Sequence, residues 1–217
     1  MLIGVTCLIT VVAMEAMAVS TVMPIVEDDL GDIWLYGWAF SAFYLGDLVG
    51  IVLGGRAADR VKPVLPLLVG VAVFTIGLLI GGFAPSMWVL VLGRGLQGVG
   101  AGVVPAVAYV CVARGFPASI HPKVFAVMST AWVVPSLISP LLASAVAVTI
   151  GWRWVFLGLV PVMGGVVWVC FRMAGRISRY AGQTGLNIMT RLMGLVLAAL
   201  AVEFVAHGVR TLATGVA

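Results

Sequence analysis

The chain has 217 residues, of which 63% are hydrophobic and 9% are charged, with a formal net charge of +4. Soluble domains are about 45–50% apolar and about 25% charged, so no soluble fold could bury this much apolar surface. The charges lie in short gaps between apolar runs and not on one basic face, which excludes a nucleic-acid-binding surface. The composition therefore predicts a protein that lies in a lipid bilayer.

Seven apolar runs are long enough to cross a bilayer as helices, since a spanning helix needs about 20 mostly apolar residues. We number them segments 1 to 7; they cover residues 2–26, 34–55, 64–84, 87–111, 124–149, 153–171 and 190–209. The gaps between them contain turn-forming residues, and none has room for a soluble domain. The period-2 alternation of membrane β-barrels is missing. The pattern predicts an all-α membrane protein.

The positive residues in the gaps predict the orientation, because cytoplasmic loops are enriched in Lys and Arg. If the N-terminus is cytoplasmic, the residues on the cytoplasmic side are Arg56, Arg60, Lys62, Arg114, Lys123, Arg172, Arg176, Arg179 and Arg191. Arg153 and Arg210 then fall outside, together with the acidic run 27–32. We expect a multi-pass protein of the plasma membrane with a cytoplasmic N-terminus, whose surroundings are the lipid bilayer.

Ionisable residues also occur inside the apolar runs, where a charge costs about 2.5–3.5 kcal/mol on insertion scales. Glu15 lies about 16 Å from the outer end of segment 1, and Arg94 about 10 Å into segment 4, at 1.5 Å per residue. The two side chains can meet if these segments are neighbours. Arginine keeps its charge whereas a buried carboxyl group can gain and lose a proton, which is the chemistry of a proton-coupled carrier. The alternative is a structural ion pair that locks two helices.

Two further acids lie within segments. Asp47 is flanked by Gly46 and Gly50, which allow close approach of another helix. Its carboxyl group therefore points either at a partner, as a structural hydrogen bond, or into a water-filled cavity, as a functional group. Glu203 in segment 7 is interpreted as a group near the membrane interface.

Segment 4 combines polar and small residues at helical spacing. Arg94, Gln97 and Ala101 fall on one face of a helix. Gly98 and Gly102 form a GxxxG pair on a neighbouring face, where the backbones of two helices can touch. Close packing explains the glycines, but it does not explain an arginine and a glutamine one turn apart at membrane depth.

Segment 5 carries Pro135 and Pro140 in its middle. Each proline removes a backbone hydrogen bond and bends a helix, so we predict a kink here. Lipid cannot satisfy the carbonyl groups that the prolines free, so neighbouring helices or Ser136 and Ser139 are expected to do so.

The sequence lacks the patterns of an intramembrane enzyme. Cys7, Cys111 and Cys170 are isolated inside apolar runs and are interpreted as small buried hydrophobic residues. His121 and His207 lie in a gap and near the end of a segment, and no G-x-S-x-G, H-E-x-x-H or multi-Asp motif occurs. We therefore expect no enzymatic activity, no metal and no cofactor.

The segments together resemble the N-terminal half of the major facilitator superfamily, and most of all its drug:proton antiporters. Residues 14–24, MEAMAVSTVMP, are similar to that group's helix-1 motif, in which an acid (here Glu15) lies nine residues before a proline (here Pro24). Residues 94–102, RGLQGVGAG, are similar to the helix-4 motif R-x-x-Q-G-x-G-A. Residues 151–156, GWRWVF, are typical of the start of helix 6.

Two further motifs match in part. Residues 55–63, GRAADRVKP, resemble the superfamily's signature loop between helices 2 and 3, with Gly55, Asp59 and Arg60 in place. The departures from that loop pattern are Ala57, Lys62, Pro63 and Val64. Segment 5 keeps Pro140 of the antiporters' helix-5 motif. The residues that stand there in place of the usual glycines are Ser139, Ala143 and Ser144.

The resemblance implies alternating access, in which two six-helix halves rock about a central cavity. It implies proton-coupled export of small lipophilic or cationic compounds, with protons and a small molecule as the partners. The proton-coupling and substrate region would contain Glu15, Arg94, Gln97 and Asp47. The gating loop would contain Gly55, Asp59 and Arg60, and Asp59 would face the N-terminus of a helix in the other half.

The resemblance also predicts a domain organisation. Residues 1–172 would form the six-helix N-terminal half, 173–189 a cytoplasmic linker, and 190–217 a seventh helix at the start of a second half. Because carriers of this family have about 12–14 helices, the chain is expected to be a fragment or the product of a truncated gene, whose missing partner is the C-terminal half. Two alternatives stay open: an uptake symporter for a small metabolite, and a non-transporting fragment of such a carrier.

Overall fold

The computed structural model of the chain describes residues 2–115 and 121–180, and every long element in this part is a helix. The helices are α1 (Leu2–Leu30), α2 (Tyr36–Arg60), α3 (Val64–Gly82), α4 (Met87–Gly115), α5 (His121–Thr149), α6 (Arg153–Leu157) and α7 (Leu159–Tyr180), with a 3-10 turn at Ile33–Leu35. The first five helices are long and apolar enough to cross a membrane. The all-α membrane bundle that the sequence predicts is confirmed for these residues.

The first five predicted segments correspond to α1 to α5, whereas segment 6 is divided. A turn at Gly158 separates α6 from α7. Pro161 follows three residues later and has no N–H to donate to the carbonyl group of Leu157, which explains a break at this point. Helix α7 continues to Tyr180, past the predicted end of segment 6 at residue 171. Segment 7, with Glu203 and His207, lies outside the described residues.

The end of α2 differs from the prediction. Gly55, Asp59 and Arg60, which were expected in a loop, lie on the last turns of α2, and the chain becomes extended only at Val61 (φ −129°, ψ 173°). Pro63 is consistent with this position, because a proline disfavours helical conformation in the residue before it, here Lys62, and helices usually end at or before that residue. A membrane span and a helix need not end together, since the charged residues of the last turns can extend beyond the lipid.

Helix α4 packs closely between α2 and α3. A Cβ atom added at Gly98 would collide with the carbonyl oxygen of Phe43, and one added at Gly102 would collide with the carbonyl oxygen of Asp47. On the other side of α4, a Cβ atom added at Gly77 of α3 would lie 2.6 Å from the backbone nitrogen of Gln97. The predicted contact of another backbone with Gly98 and Gly102 is therefore confirmed, and the helix that makes it is α2.

Helix α1 packs mainly against α5, with smaller contacts to α4 and α7. Its buried side chains join those of the other helices in one apolar core. The outer faces of α2 and α5 remain apolar and exposed; for example, Leu48 is 65% exposed and Leu141 is 74% exposed. Such faces fit helices that contact lipid or other membrane helices.

A polar clasp joins three elements at the end of the bundle where α1 terminates. The carboxylate oxygen Oδ2 of Asp29 accepts hydrogen bonds from Trp152 Nε1 (3.0 Å) and from Arg153 Nη1 (3.0 Å). The Arg153 guanidinium also lies 4.4 Å from the centroid of the Trp152 ring, and its Nη2 donates to the carbonyl oxygen of Ala84 (3.5 Å). The clasp connects the end of α1, the α3–α4 turn and the start of α6.

Candidate functional site

Glu15 and Arg94 form an ion pair in the interior of the bundle. Arg94 Nη1 on α4 donates a hydrogen bond to Glu15 Oε1 on α1 over 2.5 Å. The two side chains are 2% and 0% exposed, so water hardly reaches them in this conformation. The sequence predicts this meeting if segments 1 and 4 are neighbours, and α1 and α4 do contact each other. A charged pair therefore links two helices at membrane depth.

Gln97 completes a buried polar cluster with these two residues. Arg94 Nη1 also donates to Gln97 Oε1 over 2.9 Å, one turn along α4. Glu15 Oε2, Arg94 Nε and Gln97 Nε2 have no hydrogen-bond partner of good geometry among the described residues. An unpaired polar atom in a buried site is costly, so the cluster has spare capacity to bind a proton, a water molecule or a polar group of a ligand.

The ring of Phe43 packs against the guanidinium group of Arg94. Arg94 Cζ lies 4.1 Å from the centroid of the ring, which is a favourable cation–π distance. Sequence reasoning missed Phe43. Its signal is its position on α2, three residues before Gly46 and seven before Gly50, because these glycines mark the face that meets α4. An aromatic residue on that face is placed to reach a polar group of α4.

Ser139 of α5 contacts the backbone of α1 next to Glu15. Its buried hydroxyl donates a hydrogen bond to the carbonyl oxygen of Met14 over 2.5 Å. The exposed hydroxyl of Ser136 donates to the carbonyl oxygen of Val133 in its own helix. Neither of these bonds goes to a carbonyl group that a proline frees, so of the two alternatives the one that relies on these serines is wrong, and the one that relies on neighbouring helices stays a prediction. Pro135 and Pro140 lie inside an uninterrupted α5, and the bend remains a prediction.

Asp47 lies beside the cluster and not within it. Its side chain is partly buried one turn after Phe43, and its carboxylate has no hydrogen bond or ion pair in the part of the chain that the structure describes. The carbonyl oxygen of Asp47 contacts α4 at Gly102. Of the two interpretations left open by the sequence, the structural hydrogen bond is absent from the described contacts.

Asp59 forms an ion pair with Arg114 among the described residues. Arg114 on the last turn of α4 donates from Nη2 to Asp59 Oδ1 (3.0 Å) and from Nη1 to the carbonyl oxygen of Ala58 (2.9 Å). Asp59 thus has a charged partner within the chain, and its position facing the N-terminus of a helix in a second half stays a prediction. Gly55 has open space around its Cα, so packing among the described residues does not require a glycine there.

No group of three or more His, Cys, Asp or Glu side chains that could hold a metal ion occurs within residues 2–115 and 121–180. The buried polar side chains of the described interior are instead the carboxylate of Glu15, the guanidinium of Arg94, the amide of Gln97 and the hydroxyl of Ser139. Such a set can exchange protons and bind polar or charged groups of a solute.

Known proteins that are similar in sequence to this chain include named multidrug transporters and efflux pumps. The multidrug transporter protein MdtP of Bacillus subtilis (strain 168) is 28% identical over 88% of this chain and 36% of its own length. The efflux pump FUS6 of Gibberella fujikuroi is 27% identical over 83% of this chain and 32% of its own length. The multidrug efflux pump SdrM of Staphylococcus aureus (strain N315) is 24% identical over 69% of this chain and 34% of its own length. The chain thus spans about a third of the length of these three relatives.

The family assignment rests on most of the chain. Residues 5–185 match the model of the Major Facilitator Superfamily, and the matched region includes α1 to α7 except for the first residues of α1. The described part of the chain has five helices that are long and apolar enough to cross a membrane. The chain is a multi-pass membrane protein that belongs to the Major Facilitator Superfamily, as its motifs predict.

Proposed function

We propose that the chain is the N-terminal half of a proton-coupled carrier that exports small lipophilic or cationic compounds by alternating access. The observation that carries this proposal is the buried ion pair of Glu15 and Arg94 between α1 and α4. Relatives that are named multidrug transporters or efflux pumps support the direction of transport and the substrate class. The activity of the whole carrier requires a second, C-terminal half as a partner.

The pair couples proton binding to the packing of α1 against α4. Burying two charges costs several kcal/mol per ion, and their attraction offsets this cost only while both are charged and in contact. A proton on Glu15 removes the negative charge, and Arg94 then retains Gln97 and the Phe43 ring as partners. The contact between α1 and α4 therefore has a different energy in the two protonation states, which is what a carrier needs to alternate.

Asp47 belongs to the substrate region in this proposal. A partly buried carboxylate without a partner attracts a cation, and the aromatic rings of Phe43 and Tyr44 lie within one turn of it on α2. Negative charge next to aromatic surface is suited to lipophilic cations. We infer lipophilic cations as the substrate class from these residues, and the names of the relatives, multidrug transporter and multidrug efflux pump, support export of small compounds in general.

Gly55, Asp59 and Arg60 form the cytoplasmic gate in this proposal, together with Arg114. The charge asymmetry of the gaps supports a cytoplasmic location for this end of α2 and α4, and a cytoplasmic N-terminus in the plasma membrane. The Asp59–Arg114 pair joins two helices at the end of the bundle, where a change in its contacts can follow the rocking of the halves.

Replacing Arg114 with glutamine is expected to slow transport several-fold while hardly changing stability. Its side chain and that of Asp59 are 51% and 69% exposed, and an exposed ion pair contributes only about 0–1 kcal/mol. Dye transport and thermal unfolding are measured on the same membrane preparation. The control is Arg56→Gln, which removes an arginine from the end of α2 on which Asp59 lies. Equal transport by the two variants would show that Arg114 is not part of the gate.

The proposed function is tested with inside-out membrane vesicles that contain the complete carrier, that is, the chain together with its C-terminal half. A proton antiporter accumulates a fluorescent lipophilic cation when the vesicle interior is acidic, and a protonophore abolishes the accumulation. Accumulation only in right-side-out vesicles with an acidic exterior would instead favour the uptake symporter. If neither orientation moves dye, and the purified chain releases no proton when dye is added, the proposal is wrong for this chain.

A further inference from the structure

Ser139 connects the middle of α5 to the peptide group that precedes Glu15. The carbonyl oxygen of Met14, which accepts the Ser139 hydroxyl, belongs to the peptide unit whose nitrogen is that of Glu15. The contact is buried, since Ser139 is 0% exposed, so water does not compete for it in this conformation. The bond therefore holds the backbone at the point where the Glu15 side chain begins.

Because of the way α1 packs, this contact affects the geometry of the ion pair. Helix α1 has its largest interface with α5 and a smaller one with α4. The position of Glu15 relative to Arg94 is thus set mainly by how α1 lies on α5. Ser139 is the residue whose side chain crosses that interface to the backbone beside Glu15.

The position of Ser139 relative to two prolines of α5 is a second observation that supports a role for this residue. Ser139 lies between Pro135 and Pro140. These prolines cannot donate to the carbonyl groups of Ala131 and Ser136, so this stretch of α5 has fewer internal hydrogen bonds than the middle of a helix without prolines. It is the part of α5 most able to bend, and Ser139 would transmit such bending to the backbone of Glu15.

We infer that Ser139 is a positioning residue that holds the Glu15 carboxylate against Arg94 and links the proline-containing part of α5 to this ion pair. The inference rests on the proposed function, in which Glu15 binds the coupled proton. It assigns a role to the serine that stands where antiporters of the resembled group usually have a glycine. Losing the hydroxyl should alter the environment of the Glu15 carboxyl group without removing either charge.

The test is infrared difference spectroscopy of the purified full chain in lipid nanodiscs during pH changes. The carboxyl C=O band that disappears in Glu15→Gln identifies Glu15. In Ser139→Ala and Ser139→Gly this band should broaden, and the pH at which it reaches half its height should change by about half a unit or more. Ser139→Thr, which keeps a hydroxyl, and Ser136→Ala, which removes one from the same helix, should retain the wild-type band.

The outcomes separate this inference from the proposed function. A wild-type band in both Ser139→Ala and Ser139→Gly overturns the role of Ser139 and leaves proton binding by Glu15 intact. If no titrating band is lost in Glu15→Gln, the proposed function fails, and the inference fails with it. Thermal unfolding confirms that each variant is folded; if Ser139→Ala does not fold, Ser139→Gly decides.

Discussion

Replacing Arg94 with glutamine is expected to abolish proton-linked transport and to lower the free energy of unfolding by about 3–5 kcal/mol, because it leaves a buried charge without its partner. Glu15 is 0% exposed and its Oε1 atom accepts a hydrogen bond from Arg94. The loss of stability should be smaller at low pH, where the carboxyl group is neutral and needs no counter-charge. Denaturant unfolding in mixed micelles, followed by tryptophan fluorescence, measures it.

The double variant Glu15→Gln with Arg94→Gln separates stability from function. Removing both members of a buried ion pair is often neutral or stabilising, so this variant should recover most of the lost stability. Transport coupled to protons should remain absent. Arg153→Gln is the control, because it removes an arginine from the exposed ion pair with Asp29, worth about 0–1 kcal/mol. Equal destabilisation by Arg94→Gln and Arg153→Gln would contradict the buried ion pair.

Replacing Gly98 with valine is expected to force α2 and α4 apart and to cost about 3 kcal/mol or more, since the added side chain overlaps a backbone atom that cannot move alone. That atom is the carbonyl oxygen of Phe43. Because the Phe43 ring packs against Arg94, the same change should disturb the ion pair and reduce transport. Unfolding in mixed micelles and dye transport in vesicles are measured on the same variant.

The matched control for Gly98→Val is Gly164→Val in α7. A Cβ atom added at Gly164 has no heavy atom within 4 Å, so the same substitution there causes no overlap among the described residues. Because valine has a slightly better helix propensity than glycine, Gly164→Val should change the free energy of unfolding by less than about 1 kcal/mol. If the two valine variants were equally stable, close backbone packing of α2 and α4 at Gly98 would be ruled out.

The interior contacts that sequence could predict are those that lipid makes costly to leave unpaired. A charge on Glu15 or Arg94 costs free energy at membrane depth. Their mutual contact is therefore predictable once their segments are neighbours. Gly98 and Gly102 are predictable as a contact face because they lack side chains. In both cases one physical constraint dominates, and the structure contains the expected contacts.

Other contacts depend on which helix lies opposite, and the residue type alone does not determine that. A serine in an apolar helix can donate to its own helix, as Ser136 does, or to a neighbour, as Ser139 does. The sequence alone does not distinguish Phe43 from the other apolar residues of α2. Its role becomes visible only when the structure places Arg94 beside its ring. Apolar periodicity also marks the length of a membrane span and not the end of a helix, which is why Asp59 was expected in a loop.

Accumulation of a lipophilic cationic dye by inside-out vesicles that contain the complete carrier tests most directly whether Glu15 carries the coupled proton. Wild type and Glu15→Gln are compared with an acidic interior, and dye exchange without a pH gradient is measured alongside. The proposed mechanism predicts that Glu15→Gln still exchanges dye but no longer accumulates it against a gradient. Accumulation by Glu15→Gln at the wild-type level, with the same dependence on the pH gradient, would contradict it.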